Sequence, residues 1–294
     1  MSNILRRLRK LFNDPLLIRS SEGMTPTERA LELQPRVREL LSDLTHLLEP
    51  RTEFRPYTSN RVFRIMASDY AEATLVPRLV KTLRSEAPNV VLDFLTPSDV
   101  SYRDMEQGRV DLAINRFNEI PQSFHQVLVW RDTFSCLLSA DSPYVHRFNL
   151  KNYLKAQHVW VSKTGMGVGF GVNPDKSGGL GSIDAALQRL GQKRHISVFT
   201  RHYQMPAMLV ANRDLIATLP TRVARMQANN ADIVIKEPPF FIPEFELTMA
   251  WSPLLQHHPA HRWLRQLILH VARQLINEEK QIAPIQDALF DGSL

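Results

Sequence analysis

The sequence predicts an α/β protein in which a small basic head and one long helix precede a large body of strands and helices. Apolar residues recur at every third or fourth position from 25 to 48, which is typical of a long helix. Residues 61–114 show strand and helix patterns in the order βαβαβ, which predicts a parallel sheet. A second region of strands and helices, residues 137–240, indicates that the body has two lobes.

The composition indicates a soluble globular protein that suits a reducing compartment. Of its 294 residues, 44% are hydrophobic, which is enough for ordinary buried cores. The formal charge of +6 permits nucleic acid or an anionic ligand as a partner without requiring either. Cys136 is the one cysteine, so an internal disulfide is excluded. No signal peptide and no apolar run of about 18 residues is visible, so we expect a cytoplasmic protein without a membrane partner.

The basic head has the pattern of a helix followed by a short hairpin. Residues 1–10 predict a helix with one apolar side, and residues 11–19 predict a hairpin that turns at Asn13, Asp14 and Pro15. A basic helix, a hairpin and a long helix form the end of a winged helix-turn-helix, whose helix enters the major groove of DNA. The candidate DNA contacts are Arg6, Arg7, Arg9, Lys10 and Arg19.

The long helix has a clear start signal and the seam of a two-stranded coiled coil. Thr25 is placed to cap the first turn, Pro26 suits the first helical position, and Glu28 completes a capping box. The apolar residues behind this signal alternate spacings of three and four. An ordinary amphipathic helix packed on its own domain would show the same stripe and stays open. The candidate dimerisation residues are Leu33, Val37, Leu40, Leu44 and Leu47.

The run from Leu5 to Arg19, followed by residues 23–27, resembles the LysR-type transcriptional regulators. The shared pattern is a helix ending in Leu-Arg-x-Leu, a wing with Phe-x-x-Pro-Leu, and a Pro-Thr pair before the linker helix. The resemblance implies a ligand-responsive DNA-binding protein that acts as a homodimer or homotetramer. Its body would be a two-lobed periplasmic-binding-protein-like (type 2) effector domain. The family's first two helices and the start of the recognition helix are missing here, so we expect a truncated domain that binds its operator weakly.

These patterns divide the chain into five parts. Residues 1–24 would be the partial winged helix-turn-helix, residues 25–48 the dimerising linker helix, and residues 49–60 a hinge. The effector-binding domain would span 61–280, with one lobe at about 61–136 and 241–280 and the other at about 137–240. Residues 281–294 would be a disordered tail.

Candidate effector contacts follow the predicted strands, because ligands of α/β proteins bind beyond the carboxyl ends of parallel strands. The cations in this set suit a carboxylate or phenolate, and the aromatic side chains suit a ring. We therefore expect a small anionic effector, for which an aromatic ring is one option. The serines and threonines are also ordinary helix caps, so that alternative stays open. The candidates are Ser68, Asp69, Tyr70, Thr96, Pro97, Arg116, Phe117, Ser162, Lys163, Thr164, Thr200, Arg201, His202 and Tyr203.

Several other signals do not indicate catalysis or a cofactor. The glycines from Gly165 to Gly181 lack the spacing of a nucleotide loop, and either a flap over the cleft or an exposed loop would explain them. The histidines near Pro259 lack acidic or thiol companions, so we expect no metal site. Cys136 has no neighbouring histidine and is expected to be a buried thiol. We therefore predict that the protein is not an enzyme and needs no cofactor. Two alternatives to a regulator stay open, namely a solute-binding protein and an enzyme built on the same two-lobed scaffold.

Overall fold

The computed structural model describes residues 3–20, 23–48, 53–117, 119–161 and 181–290. The chain separates into two compact units, Met1–Glu53 and Phe54–Leu294. The first contains a helix, a hairpin and a long helix, and the second contains two five-stranded sheets. No described helix is both long and apolar enough to cross a membrane.

The first unit forms its hairpin later in the chain than the sequence pattern predicts. Helix α1 continues to Phe12, and Asn13 and Leu16 then turn the chain with φ angles of 47° and 60°. The antiparallel hairpin follows this turn instead of lying in residues 11–19, so that prediction was wrong in position. The elements are α1 (Asn3–Phe12), β1 (Leu17–Ser20), β2 (Gly23–Pro26) and α2 (Glu28–Leu48).

Helix α2 starts at Glu28, so the predicted cap at Thr25 is also wrong. Thr25 pairs with Ile18 within the hairpin and belongs to β2. The next hydroxyl, that of Thr27, accepts a hydrogen bond from the Ala30 amide at 3.1 Å and caps the helix. Thr25 is therefore part of strand β2, and Thr27 caps helix α2.

The first sheet of the second unit confirms the predicted parallel βαβαβ order. Strand β3 pairs in parallel with β4 on one side and with β5 on the other. Strand β12 returns from the other lobe and pairs antiparallel with β5 and β6, giving the order β4-β3-β5-β12-β6. The elements of this first lobe are β3 (Val62–Ala67), α3 (Asp69–Glu86), β4 (Val91–Leu95), α4 (Tyr102–Glu106), β5 (Leu112–Asn115), β6 (His125–Asp132), β12 (Phe245–Trp251) and α9 (Pro259–Phe290).

The second sheet belongs to the second lobe and has the order β11-β7-β10-β8-β9. The chain enters it between β6 and β7 and leaves it between β11 and β12, which confirms the two expected crossings. Strands β8, β9 and β10 are parallel, and β7 is antiparallel to β10 and β11. The elements are β7 (Phe134–Ser139), α5 (Leu150–Lys155), β8 (Gln157–Val161), α6 (Ser182–Arg189), β9 (His195–Thr200), α7 (Met205–Leu209), β10 (Leu215–Pro220), α8 (Thr221–Arg225) and β11 (Ile233–Lys236).

The last helix is longer than predicted. Helix α9 runs from Pro259 to Phe290, so the expected disordered tail is wrong as far as Phe290. Half of residues 281–290 are strong helix formers, the helix continues through Pro284, and the next glycine comes only at Gly292. Residues 291–294 lie outside the described part of the chain.

Candidate functional site

The two lobes meet where the first turn of α3 faces the segment after β9. The Ser68 hydroxyl caps α3 by accepting a hydrogen bond from the Ala71 amide at 3.3 Å. The carboxylate of Asp69, the next residue, accepts a hydrogen bond from the Tyr203 amide at 2.5 Å. The Nδ1 atom of His202 lies 3.4 Å from the other oxygen of Asp69. Asp69 of the first lobe therefore bonds to the second lobe.

A second contact between the lobes is made by Arg116, which follows β5. Its guanidinium donates a hydrogen bond to the hydroxyl of Ser182, the first residue of α6. The guanidinium carbon lies 4.6 Å from the centre of the Phe245 ring and 5.9 Å from that of Phe134. Burial lowers the pKa of Arg116. Among the described residues no carboxylate lies within 4 Å of this guanidinium, so its charge has no acidic counterpart there.

Tyr203 lies close enough to Arg116 and Asp69 for both charges to affect the pKa of its phenol. Burial raises the pKa of its phenol to about 12, with Arg116 acting to lower it and Asp69 acting to raise it further. Its ring lies 6.1 Å from that of Tyr70, centre to centre, in an edge-to-face arrangement. A cation, a carboxylate and an aromatic hydroxyl are thus assembled at the junction of the lobes.

The hydroxyl of Tyr70 is already engaged within the protein. It donates a hydrogen bond to Asp132 at 2.7 Å and accepts one from the indole of Trp130 at 2.9 Å. Asp132 also accepts hydrogen bonds from the amides of Thr133 and Arg222, at 2.8 and 3.2 Å. Asp132 ends β6, where the chain leaves the first lobe. The structure therefore places Tyr70, a predicted effector contact, in a buried network at the crossing.

Residues 58–273, which include both lobes, match the family model of the LysR substrate binding domain. The chain belongs to the LysR family. It is 30% identical over 273 residues to the transcriptional activator NagR of Ralstonia sp, covering 92% of this chain and 87% of NagR. The crystal structure of the regulator PA0477 from Pseudomonas aeruginosa is 28% identical with a TM-score of 0.62, covering 90% of this chain and 84% of that one. These relatives are transcriptional regulators, which favours a regulator over a solute-binding protein or an enzyme.

A more distant solved structure shares the fold. The effector binding domain of BenM with its effector benzoate is 14% identical and has a TM-score of 0.57. The alignment covers 75% of this chain and 94% of that domain. At this identity the likeness shows the two-lobed fold alone.

The remaining candidates of the first lobe lie around the same strand ends. The Thr96 hydroxyl is exposed and donates to the carboxylate of Asp99 at 2.7 Å, while Pro97 is buried. Phe117 packs against a small apolar cluster that contains Met66. These contacts are internal to the first lobe, so the effector contacts proposed for these residues stay predictions.

In the second lobe, Thr200 accepts a hydrogen bond from the His202 amide at 3.3 Å, and Arg201 is exposed. Most of the glycine-rich segment and three predicted contacts lie outside the described residues. These three are Ser162, Lys163 and Thr164.

Sequence reasoning missed four residues of this site. Asp132 and Phe134 flank the first crossing, Phe245 follows the second, and Ser182 begins α6. Residues of these types occur throughout the chain. Only the tertiary contacts distinguish these four from the others of their type. The strand-end rule did identify their partners, Arg116 among them.

A groove of about 610 Å³ lies elsewhere, between α3 and α9. Its lining includes Arg78, Lys81 and Glu278, and Arg78 forms an ion pair with Glu278. At about 1.5 Å per residue along α3, Arg78 is more than 10 Å from Asp69. The groove is therefore separate from the junction of the lobes.

In the first unit, Arg9 is bonded to the hairpin that follows it. Its Nε donates to the Pro15 carbonyl at 2.6 Å, and its Nη2 donates to the Leu17 carbonyl at 3.1 Å. We therefore assign Arg9 a role in holding the turn. The other predicted DNA contacts have exposed side chains, namely Arg6, Arg7, Lys10 and Arg19.

The predicted dimer seam is partly visible on α2. Val37 and Leu40 are 41% and 67% exposed, and Leu33 is half-buried. The side chains of Leu44 and Leu47 lie outside the described part of the chain. Two large apolar side chains therefore face solvent on a helix of this chain, as an uncovered seam would.

The histidines near Pro259 take part in a polar network. His261 is buried, with its Nε2 atom 3.0 Å from Asp111 and 2.9 Å from Arg61. Asp111 also accepts a hydrogen bond from the Arg64 amide at 2.6 Å. Within the described ranges, no three histidine, cysteine or acidic residues are placed to hold a metal ion. Cys136 is buried as predicted, and burial raises the pKa of its thiol to about 12.

Proposed function

We propose that this LysR-family chain is a ligand-responsive regulator that senses a small aromatic anion between its lobes. The observation that supports the proposal is Arg116, a half-buried cation without a carboxylate partner among the described residues. A buried charge is costly unless it is paired, so such a guanidinium favours an anionic ligand. The neighbouring rings of Phe134 and Phe245 are buried and make the surroundings of Arg116 apolar, which suits an aromatic group.

The response would be a shift between two arrangements of the lobes. An effector that binds better to one arrangement increases its population and thereby changes the oligomer that carries it. The oligomer, a homodimer or homotetramer joined through α2, would place paired first units on promoter DNA. There, Arg6, Arg7, Lys10 and Arg19 would contact phosphate or the groove. Ser182 would exchange its hydrogen bond with Arg116 for one with the effector.

The test compares the binding of benzoate with that of its neutral isostere benzamide by isothermal titration calorimetry. Benzoate is the smallest aromatic carboxylate, and we expect it to bind at least about tenfold more tightly than benzamide, a difference of about 1.4 kcal/mol. Arg116→Met should remove this preference because it keeps much of the side-chain volume and deletes the charge.

Arg109→Met is the matched control, because Arg109 is an exposed arginine of the first lobe that pairs with Asp104. This variant should retain the preference for benzoate. Equal binding of benzoate and benzamide to the unmodified protein would contradict the proposal. An unchanged preference in Arg116→Met would contradict the role of Arg116.

A further inference from the structure

Asp69 and Arg116 place opposite charges at one edge of the first sheet. Asp69 follows β3 and Arg116 follows β5, and Ala67 pairs with Ile114 where these parallel strands end. Neighbouring strands lie about 5 Å apart, so both charges border the same space between the lobes. They do not form an ion pair, because Asp69 bonds to His202 and Tyr203.

The first turn of α3 carries a second acidic residue beside Asp69. Glu72 lies one turn further along and is half-buried. Burial and the charge of Asp69 both raise the pKa of Glu72, while His202 acts to lower it. Asp69 also acts to raise the pKa of the Tyr203 phenol. The carboxylate of Asp69 thus acts electrostatically on neighbours from both lobes.

These placements give the junction of the lobes one side that attracts an anion and one that repels it. A ligand whose carboxylate binds Arg116 extends away from that cation, toward Tyr203 and the start of α3. A second carboxylate there would meet the charge of Asp69 at short range, and because the Asp69 side chain is only 34% exposed, water would screen the repulsion only in part. A hydroxyl or another neutral group would meet no such repulsion.

We propose that Asp69 is a specificity-determining residue that restricts the effector to a single negative charge. This inference rests on the proposed function, because it requires that an aromatic anion binds at Arg116. It assigns the carboxylate a second role besides its hydrogen bond to Tyr203, namely exclusion of aromatic dicarboxylates.

The test uses two ligands of similar size and different charge. Terephthalate carries two carboxylates, and monomethyl terephthalate carries one, with the second masked as an ester. Binding of both, and of benzoate, is measured by calorimetry on the full chain at about pH 8, where an ordinary histidine is neutral. We expect the unmodified protein to bind the monoester at least about tenfold more tightly than the dianion.

Asp69→Asn should reduce this difference to less than about threefold by tightening terephthalate binding. Asparagine keeps an oxygen that accepts the Tyr203 amide, so the contact between the lobes is preserved. Asp141→Asn is the matched control, because Asp141 is exposed and lies beyond the end of β7 opposite to Phe134. That variant should keep the full discrimination.

The outcomes separate this inference from the function on which it rests. Equal binding of the monoester and terephthalate to the unmodified protein, with benzoate bound, would overturn the role of Asp69 and leave the proposed function standing. An unchanged difference in Asp69→Asn would do the same. Failure of benzoate and the monoester to bind any of the three proteins would overturn both.

Discussion

At the scale of single residues, the clearest consequence of burial is at His158. Its ring is fully buried, and Nε2 lies 2.7 Å from the Tyr153 carbonyl, to which it donates a hydrogen bond. Burial, reinforced by the nearby charge of Arg194, lowers the pKa of His158 from 6.5 to about 3. The imidazole therefore remains neutral in the folded protein at pH values where it would be charged in the unfolded chain.

The sign of the resulting pH dependence follows from the lowered pKa. Below pH 6.5 the unfolded chain binds a proton that the folded protein excludes. The stabilising contribution is therefore complete above that pH and decreases as the pH falls toward 3. His158→Gln should flatten the decrease in the free energy of unfolding by up to about 1.4 kcal/mol per pH unit.

Urea denaturation at several pH values measures this effect. Glutamine retains a donor for the Tyr153 carbonyl, so we expect the variant to fold. His146→Gln, at an exposed position, is the control and should leave the pH dependence unchanged. A pH profile of His158→Gln identical to that of the unmodified protein would disprove the assignment.

A second prediction concerns the buried ion pair between Arg194 and Asp184. Two hydrogen bonds of 2.7 and 2.8 Å join them, and the arginine side chain is 0% exposed. Arg194→Met leaves the Asp184 carboxylate buried without its partner, which costs about 3–5 kcal/mol of stability. The same change at the exposed Arg189 should cost less than about 0.5 kcal/mol in denaturant unfolding. Similar losses in the two variants would contradict this account.

At the scale of elements, the contacts of α1 divide its arginines into two roles. Arg9 holds the turn before β1, whereas Arg7 is exposed. Arg7→Ala should leave the circular dichroism spectrum and thermal stability unchanged. It should weaken binding to duplex DNA and reduce the slope of log K against log salt by about 0.9, the value for one phosphate contact.

Arg9→Ala serves as the comparison for this third prediction. Loss of its two carbonyl contacts should destabilise the helix–hairpin unit, because it leaves the Pro15 and Leu17 carbonyls without this donor. Fluorescence anisotropy with labelled DNA measures binding, and heating monitored by circular dichroism measures stability. An unaltered salt slope in Arg7→Ala would show that Arg7 does not contact phosphate.

The helices and strands also show which parts of the fold the sequence could predict and which parts it could not. Apolar periodicity located the βαβαβ unit because each of its strands and helices buries one face or two. The sequence analysis did not predict α5 and β11, of 6 and 4 residues, which lie outside that alternating unit. Thr25 and Thr27 both fit a helix cap, and pairing of Thr25 with Ile18 decided between them.

At the scale of the whole molecule, the site was less predictable than the fold because its contacts join residues that are far apart in the sequence. The strand-end rule selected Asp69, Arg116 and Tyr203 as candidates because it depends on local order along the chain. It could not show which residues contact each other, because Asp69 bonds to Tyr203, 134 residues away, and Arg116 bonds to Ser182, 66 residues away. The hydrogen-bond network around Asp132, where the chain crosses between the lobes, includes residues of both lobes. It could not be predicted from the sequence for the same reason.

A prediction at the scale of the whole molecule concerns its oligomeric state. Leu40 is 67% exposed on α2, and we expect a second copy of α2 to cover it. Leu40→Glu should therefore convert the dimer or tetramer into smaller species in sedimentation equilibrium, because it places a charge in the apolar seam. Arg38→Glu introduces the same residue at an exposed position outside the predicted seam. This control should not change the assembly. A monomeric unmodified protein would contradict the dimer seam.

Helix α9 has a mechanical consequence for the two sheets. It packs on α3 of the first lobe, and Glu279, in its second half, forms an ion pair with Arg222 of α8 in the second lobe. The Arg222 guanidinium also lies 4.4 Å from the Trp130 ring. The helix therefore contacts both lobes, and a rotation of one lobe against the other would either carry this ion pair along or break it. An arrangement of the lobes that breaks the pair would lose its stabilising contribution, so Glu279 and Arg222 would bias the equilibrium between arrangements from outside the junction.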